Sequence, residues 1–158
     1  MFKKGQKVIY PKHGAGKIIA VQEETISGEK KKYYKIQFLN SQVSVSVPQD
    51  HALDLGLRYP LTKTNIKKVL KKLNTQYKIN KNTLVNLDTL SRDKLNSGKL
   101  EEVIDLVNLL HSLAKQKEEE NKNFSYSYSD RLEIAMDFIK SEVALVLGQS
   151  ALKKYGLK

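Results

Sequence analysis

"VIYPKHGAGKI", residues 8–18, brings Gly14, Gly16 and Lys17 into one turn. A phosphate-binding loop starts in this way, but it needs more. It needs a glycine turn ending in Gly-Lys-Ser/Thr, then a helix whose N-terminus faces the phosphate. Here Lys17 is followed by Ile18, and "GKIIAVQEETI" (16–26) carries the Ile, Val and Thr of a strand. The helix dipole and the magnesium-binding hydroxyl are both missing. The glycines therefore mark a sharp bend between two strands. Pro11 ends the first strand, and His13-Gly14 turns the chain.

Working outward, the rest of residues 1–57 also reads as strands. "QKVIY" is short and β-branched, and "KKYYKIQFL" (31–39) alternates, with Tyr34, Ile36 and Phe38 on one face. "VSVSVP" (43–48) alternates strictly, which predicts Val43, Val45 and Val47 inward and Ser44 and Ser46 outward. "SGEK" (27–30) is a tight hairpin turn with Gly28 at positive φ, and "LNSQ" (39–42) is the next turn. Four or five short strands in so few residues predict a small, strongly bent sheet or barrel.

After Pro60 the period becomes helical. "TKTNIKKVLKKL" (62–73) puts Ile66, Val69, Leu70 and Leu73 on one face and Lys63, Lys67 and Lys71 on the other. "TLVNLDTLSRDKL" (83–95) is a second helix, stopped by Gly98. "KLEEVIDLVNLLHSLAKQKEEE" (99–120) is a third, with Glu101 and Glu102 in the first turn, where the dipole favours anions. "NKNFSYSYS" (121–129) reads as a polar loop, and Ser127 with Asp130 resembles a capping box. "DRLEIAMDFIKSEVALVLG" (130–148) is the last long helix, before a short basic tail. The fold class is α+β: a β domain over residues 1–57, then an all-α domain of four to five helices over 58–158.

The chain of 158 residues is 40% hydrophobic, so it folds. It has no run of apolar residues long enough to span a bilayer, no secretory h-region near "MFKKGQKVIY", and no cysteine. These features predict a cytoplasmic protein without disulfides or thiolate metal sites. With 28 basic and 17 acidic residues the net charge is +11, which points to a polyanionic partner. From Tyr59 to Lys81 there are seven lysines and no acid. His13, His51 and His111 lack ligand spacing, and no nucleophile-elbow or Ser-His-Asp context surrounds any serine. No catalytic residue, metal site or cofactor is expected.

The order "FKKGQKVIYPKHGAGKI", "TISGEKKKYYKIQF", "VSVPQDHALDLGLR" resembles the CarD/CdnL family of bacterial transcription regulators. Their N-terminal module also occurs in the transcription-repair coupling factor as its RNA-polymerase-interacting domain. "KLNSGKLEEVIDLVNLL" and "YSYSDRLEIAMDFIKSEVALVLG" are similar to the family's later helices. The resemblance implies a Tudor-like β module that docks on the RNA polymerase β subunit. It also implies a helical module at the upstream edge of the transcription bubble, where an aromatic side chain, usually tryptophan, wedges into the minor groove. Implied further are a monomer at the nucleoid, double-stranded promoter DNA as partner, and neither membrane nor small-molecule substrate.

The chain departs from that pattern. It has no tryptophan. The wedge position falls near Leu84, with Val85 beside it, and Leu84 reads equally as wedge or as helix core. The polymerase-facing set is Glu24, Ile26, Ser44 and Ser46, and family arginines align with Glu24 and Ser46. The DNA-facing set is Lys63, Lys67, Lys71, Lys78, Lys81, Leu84, Arg92 and Lys94. Two readings follow: a polymerase-bound regulator of the open complex, or a largely non-sequence-specific DNA-binding protein that needs no polymerase.

Overall fold

Alternating apolar residues produce four strands: β1 (Lys7–Tyr10), β2 (Gly14–Ile26), β3 (Glu29–Phe38) and β4 (Ser44–Pro48). They pair antiparallel in chain order. The computed structural model, which describes residues 1–157, curls this sheet into a half-barrel. Its concave side buries Val8, Ile18, Tyr34, Ile36, Phe38 and Val47, closed by Phe2, Ala52 and Leu57. The α+β class is as expected.

The curl has a local cause in β2. Ile18 pairs with Ile36, but Ala20 pairs with Lys35, so Ile19 is an extra residue. Such a bulge adds twist and moves the following side chains to the other face. Beyond it, Gln22–Ile26 and Glu29–Tyr33 continue as a two-stranded arm that leaves the core. Ser27 and Gly28, both at positive φ, close the arm, a pair matched to strand twist.

One inward position differs from expectation. Val43 is exposed, because β4 starts only at Ser44. The Val43 N–H is taken by Ser41 Oγ and its carbonyl by Gln37 and Phe38, so the residue belongs to the turn.

Five helices follow: α1 (Lys63–Leu70), α2 (Lys81–Ser97), α3 (Leu100–Glu119), α4 (Tyr126–Leu147) and α5 (Ser150–Lys154). Thr62 caps α1 by accepting the Asn65 N–H, and Asn80 caps α2 through the Thr83 N–H. Gly98, at φ +67°, ends α2 as predicted. Helix α1 is shorter than its pattern. Buried Asn108 of α3 accepts the Asn74 N–H and donates to the Lys72 carbonyl, which holds the chain in a turn after Leu70.

The expected capping box at Ser127 is absent. Helix α4 begins four residues earlier than Asp130, with Ser125 before it and Ser127 inside its first turn. Phe124 and Tyr128 lean on the helical core and on one another, and Arg131 lies over the Tyr128 ring. That packing outweighs the polar composition. The basic tail is likewise structured: α5 buries Ala151, and Leu157 is buried after it.

The glycine turn of residues 11–16 is the seam between sheet and helices. Ile9 and Ala15 belong to the helical core, beside Phe138 and Ile139 of α4. The Ala15 N–H donates to Ser141 Oγ (3.0 Å). A Cβ on Gly14, which has φ +78°, would fall inside contact distance of that hydroxyl. Pro11 sits against two further glycines: a Cβ on Gly56 or Gly98 would lie 2.6 or 2.8 Å from its Cγ. The turn is therefore a docking element, but it docks on this chain's own α4.

Candidate nucleic-acid and partner interfaces

Helix α1 buries Ile66 and Leu70, and a row of residues spaced by four runs alongside that buried stripe. Lys63, Lys67 and Lys71 are all exposed there. Among the described residues none of the three has a carboxylate within ion-pair distance, and the same holds for Lys68, Lys78 and Lys81. Lys72 differs, being paired with Glu101. Lys81 occupies the first turn of α2, where the helix dipole disfavours a cation. Its charge therefore does not serve helix stability.

The other two cations of the expected DNA-facing set sit differently. Lys94 is only 12% exposed and lies 2.9 Å from Glu102 and 2.6 Å from Asp105. Burial pushes its pKa down, but hydrogen bonds to Asp105 and Glu102 outweigh this and hold it above the ordinary lysine value. Burial likewise pushes Asp105 up, and hydrogen bonds from Lys94 and Tyr77 bring it below the ordinary carboxylate value. Lys94 is thus held in a network within the protein, unlike the exposed lysines of the expected DNA-facing set. Arg92 is exposed and paired with Asp88 at 3.4 Å. Asp88 also takes Arg131 at 2.5 Å, and Arg58 pairs with Glu142. Each of the three arginines thus has a carboxylate beside it, and among the described residues the cations without one include the lysines named above.

Leu84 is half-buried and packs on the helical core. Its neighbour Val85 is 80% exposed and is the apolar side chain presented to solvent at this end of α2. The helical offset explains the difference: Leu87 is buried, so the residue two before it points away.

On the sheet, Glu24 pairs with Lys31, Ile26 with Glu29, Ser44 with Gln37 and Ser46 with Lys35. Cross-strand partners share a face. The four β3 partners are all odd-numbered, so Glu24, Ile26, Ser44 and Ser46 lie on one face, the convex one. Strand β4 ends the sheet. The Phe38 N–H donates to the Val43 carbonyl (3.4 Å). Ladder alternation then gives Ile36–Val45 and Tyr34–Val47 as the bonded pairs. The backbone groups of Ser44 and Ser46 consequently point away from β3, along a free edge.

Sequence reasoning missed the residues that join the two parts. Arg58 continues the sheet by exchanging two backbone hydrogen bonds with Ile9 (2.8 and 3.0 Å). Its side chain donates through Nε to the Gly98 carbonyl (2.8 Å) and through both Nη atoms to Glu142. A lone arginine and a carboxylate in the apolar run "SEVALVL" were the available signals.

Two comparisons bear on these surfaces. The family model for the CarD-like/TRCF RID domain matches residues 2–58. Residues 2–58 are thus similar to a CarD-like domain. The match covers the whole curled sheet, including the free edge and the glycine turn. Over the full length, the chain is 27% identical to a protein of Bacillus subtilis (strain 168) named "Putative transcription factor YdeB", with 99% of this chain and 100% of that protein aligned. The helices that follow the CarD-like domain are thus similar to those of a relative of the same extent. Among the described residues no three His, Asp or Glu side chains are grouped to hold a metal, and no helix is long and apolar enough to cross a membrane.

Proposed function

We propose that this protein is a transcription regulator. It docks on the RNA polymerase β subunit through its CarD-like domain and contacts promoter DNA near the upstream edge of the bubble, adjusting open-complex stability. The observation that carries the reading is the CarD-like match over residues 2–58 in a chain whose next helix bears three unpaired lysines on one face. The free edge at Ser44 and Ser46 suits addition of a partner strand, in which main-chain hydrogen bonds supply affinity. The lysine face suits phosphates, which position a protein on DNA without reading sequence. Lys63, Lys67, Lys71, Lys78 and Lys81 are the phosphate-contacting set, and Val85 supplies the exposed apolar contact beside them. The protein works as a monomer in the cytoplasm, at the nucleoid, and without a cofactor.

Capture of polymerase by the full-length chain tests the reading. The wild type is expected to retain polymerase. Ser46→Pro removes a donor from the free edge without breaking a bond to β3, and it is expected to lose polymerase while remaining folded. Retention by the variant rejects strand addition. Duplex binding measured with and without polymerase separates this reading from the polymerase-independent one, which the local excess of seven lysines favours. Tight binding to duplex alone, with no capture of polymerase, selects the latter.

A further inference from the structure

The segment Asn74–Asn80 between α1 and α2 has no regular structure, yet it is fastened to α3. The Asn74 N–H donates to Asn108 Oδ1 (2.9 Å) and the Tyr77 N–H to Ser112 Oγ (3.0 Å). The Tyr77 hydroxyl donates to Asp105 Oδ1 (2.5 Å). Asp105 is itself held by Lys94. Beside this segment and along α3 runs a groove of about 560 Å³, lined by Tyr77, Lys78, His111, Lys115, Gln116 and Glu119 among others. The volume is within the range of sites for small ligands, about 300–1,000 Å³.

The lining chemistry is specific. Tyr77 is 39% exposed, and it is tied at both its backbone and its hydroxyl. A ring held in this way loses little freedom when something stacks on it. Lys78 and Lys115 line the same groove, and among the described residues neither has a carboxylate within ion-pair distance. Glu119 is the one carboxylate of the lining. Side-chain amides and His111 add neutral donors and acceptors. Bases in a duplex hide their faces in the stack, so an aromatic platform in a groove that also carries cations recognises unpaired bases.

We propose that this groove binds a short single-stranded nucleic-acid segment, with an unpaired base on Tyr77 and the adjoining phosphates on Lys78 and Lys115. The inference rests on the reading of the helical part as DNA-contacting, and it adds a single-strand site that shares Lys78 with the duplex-contacting set but uses none of the α1 lysines.

Fluorescence anisotropy of the full-length protein tests it, with a labelled oligothymidylate of roughly a dozen nucleotides and, separately, a duplex. Tyr77→Ala is expected to weaken oligothymidylate binding by roughly 5- to 100-fold and to leave duplex binding within about twofold. Tyr77→Phe, which keeps the ring, is expected to retain most of the affinity. Lys115→Gln is expected to lower the single-strand salt slope by about 0.7. No oligothymidylate binding by the wild type, or equal losses on both probes, overturns the proposal. So does loss in Tyr77→Phe equal to that in Tyr77→Ala. Binding of the single strand but not the duplex rejects the duplex reading and leaves this one standing.

Discussion

Arg58 and Glu142, 84 residues apart in the chain, meet in a two-pronged ion pair with Nη1–Oε1 at 2.7 Å and Nη2–Oε2 at 2.8 Å. Glu142 is fully buried, and its Oε1 also accepts the Leu61 N–H at 3.1 Å. Arg58 is the last residue bonded to the sheet and Glu142 lies within α4, so the pair fixes the CarD-like domain against the helices. Both of its polar ends are satisfied, which is the condition for a buried pair to be tolerated. Geometry at this seam sets how far the convex sheet face stands from the α1 lysines.

Removing one partner strands the other. Glu142→Ala leaves the Arg58 guanidinium without its carboxylate and the Leu61 N–H without its acceptor, and is expected to cost about 3–5 kcal/mol of stability. Combining Arg58→Met with Glu142→Leu is expected to recover much of that loss, because no uncompensated charge remains. Urea unfolding of the two variants beside the wild type checks both statements. A Glu142→Ala protein as stable as the wild type would show that the pair contributes nothing.

At the glycine turn, Gly14→Ala places a methyl group against Ser141 Oγ at a backbone φ of +78°. The left-handed conformation alone costs roughly 1–2 kcal/mol for a residue with a Cβ. Ser141 cannot simply turn aside, since its hydroxyl bridges the Ala15 N–H and the Phe138 carbonyl. The double variant Gly14→Ala/Ser141→Gly is expected to be more stable than the sum of its single changes predicts. A double-mutant cycle on melting temperature reads this coupling, and additivity argues against the contact.

Five lysines form the phosphate-contacting set proposed for duplex DNA. With about five contacts, the log–log salt dependence of duplex binding has an expected slope of roughly −4 to −5. Lys63→Glu/Lys67→Glu/Lys71→Glu is expected to weaken all duplex sequences alike. Lys94→Gln is expected to change stability and leave the slope alone, because Lys94 is held by Glu102 and Asp105. A shallower slope in Lys94→Gln would return it to the interface.

The neighbours Leu84 and Val85 give opposite expectations. Leu84→Ala is expected to lower stability, by less than the ~2–5 kcal/mol of a fully buried leucine, because Leu84 is only half-buried on the core. Val85→Ala, at an exposed position, is expected to leave the melting temperature unchanged and to shorten open-complex lifetime. An apolar wedge gains its energy only against the DNA. Unchanged lifetime in the Val85 variant would leave α2 without a wedge.

The network of Lys94, Asp105 and Tyr77 has a defined pH signature. Asp105 is held below its ordinary value, so it contributes stability above about pH 4 and loses it as pH falls through the lower folded value. Lys94 is held above its ordinary value, so its contribution is present below about pH 10 and is lost as pH rises through the folded value. Stability is expected to be flat in between from this source, and Asp105→Asn is expected to flatten the acid flank. An acid flank equally steep in the variant would remove Asp105 from the network's role.

Residues a few positions apart were enough to read the strands around Tyr34–Phe38, the helix stop at Gly98 and the charge excess between Tyr59 and Lys81. Alternation, a left-handed glycine and a lysine repeat are properties of a short window, and the physics that acts on them is short-ranged. The readings that changed depend on groups far along the chain. Asn108 stops α1, Phe124 and Tyr128 start α4 early, and Glu102 and Asp105 claim Lys94. Composition near each of those sites is the same whether or not the distant partner arrives. The glycine turn shows the division most clearly. Sequence alone determined that it bends the chain and departs from the phosphate-loop pattern, since Ile18 and a strand follow Lys17. Only the tertiary structure decided what the bend is for. Close approach of Gly14 to Ser141 and of Pro11 to Gly56 and Gly98 is a steric fact about surfaces that meet only once the chain has folded.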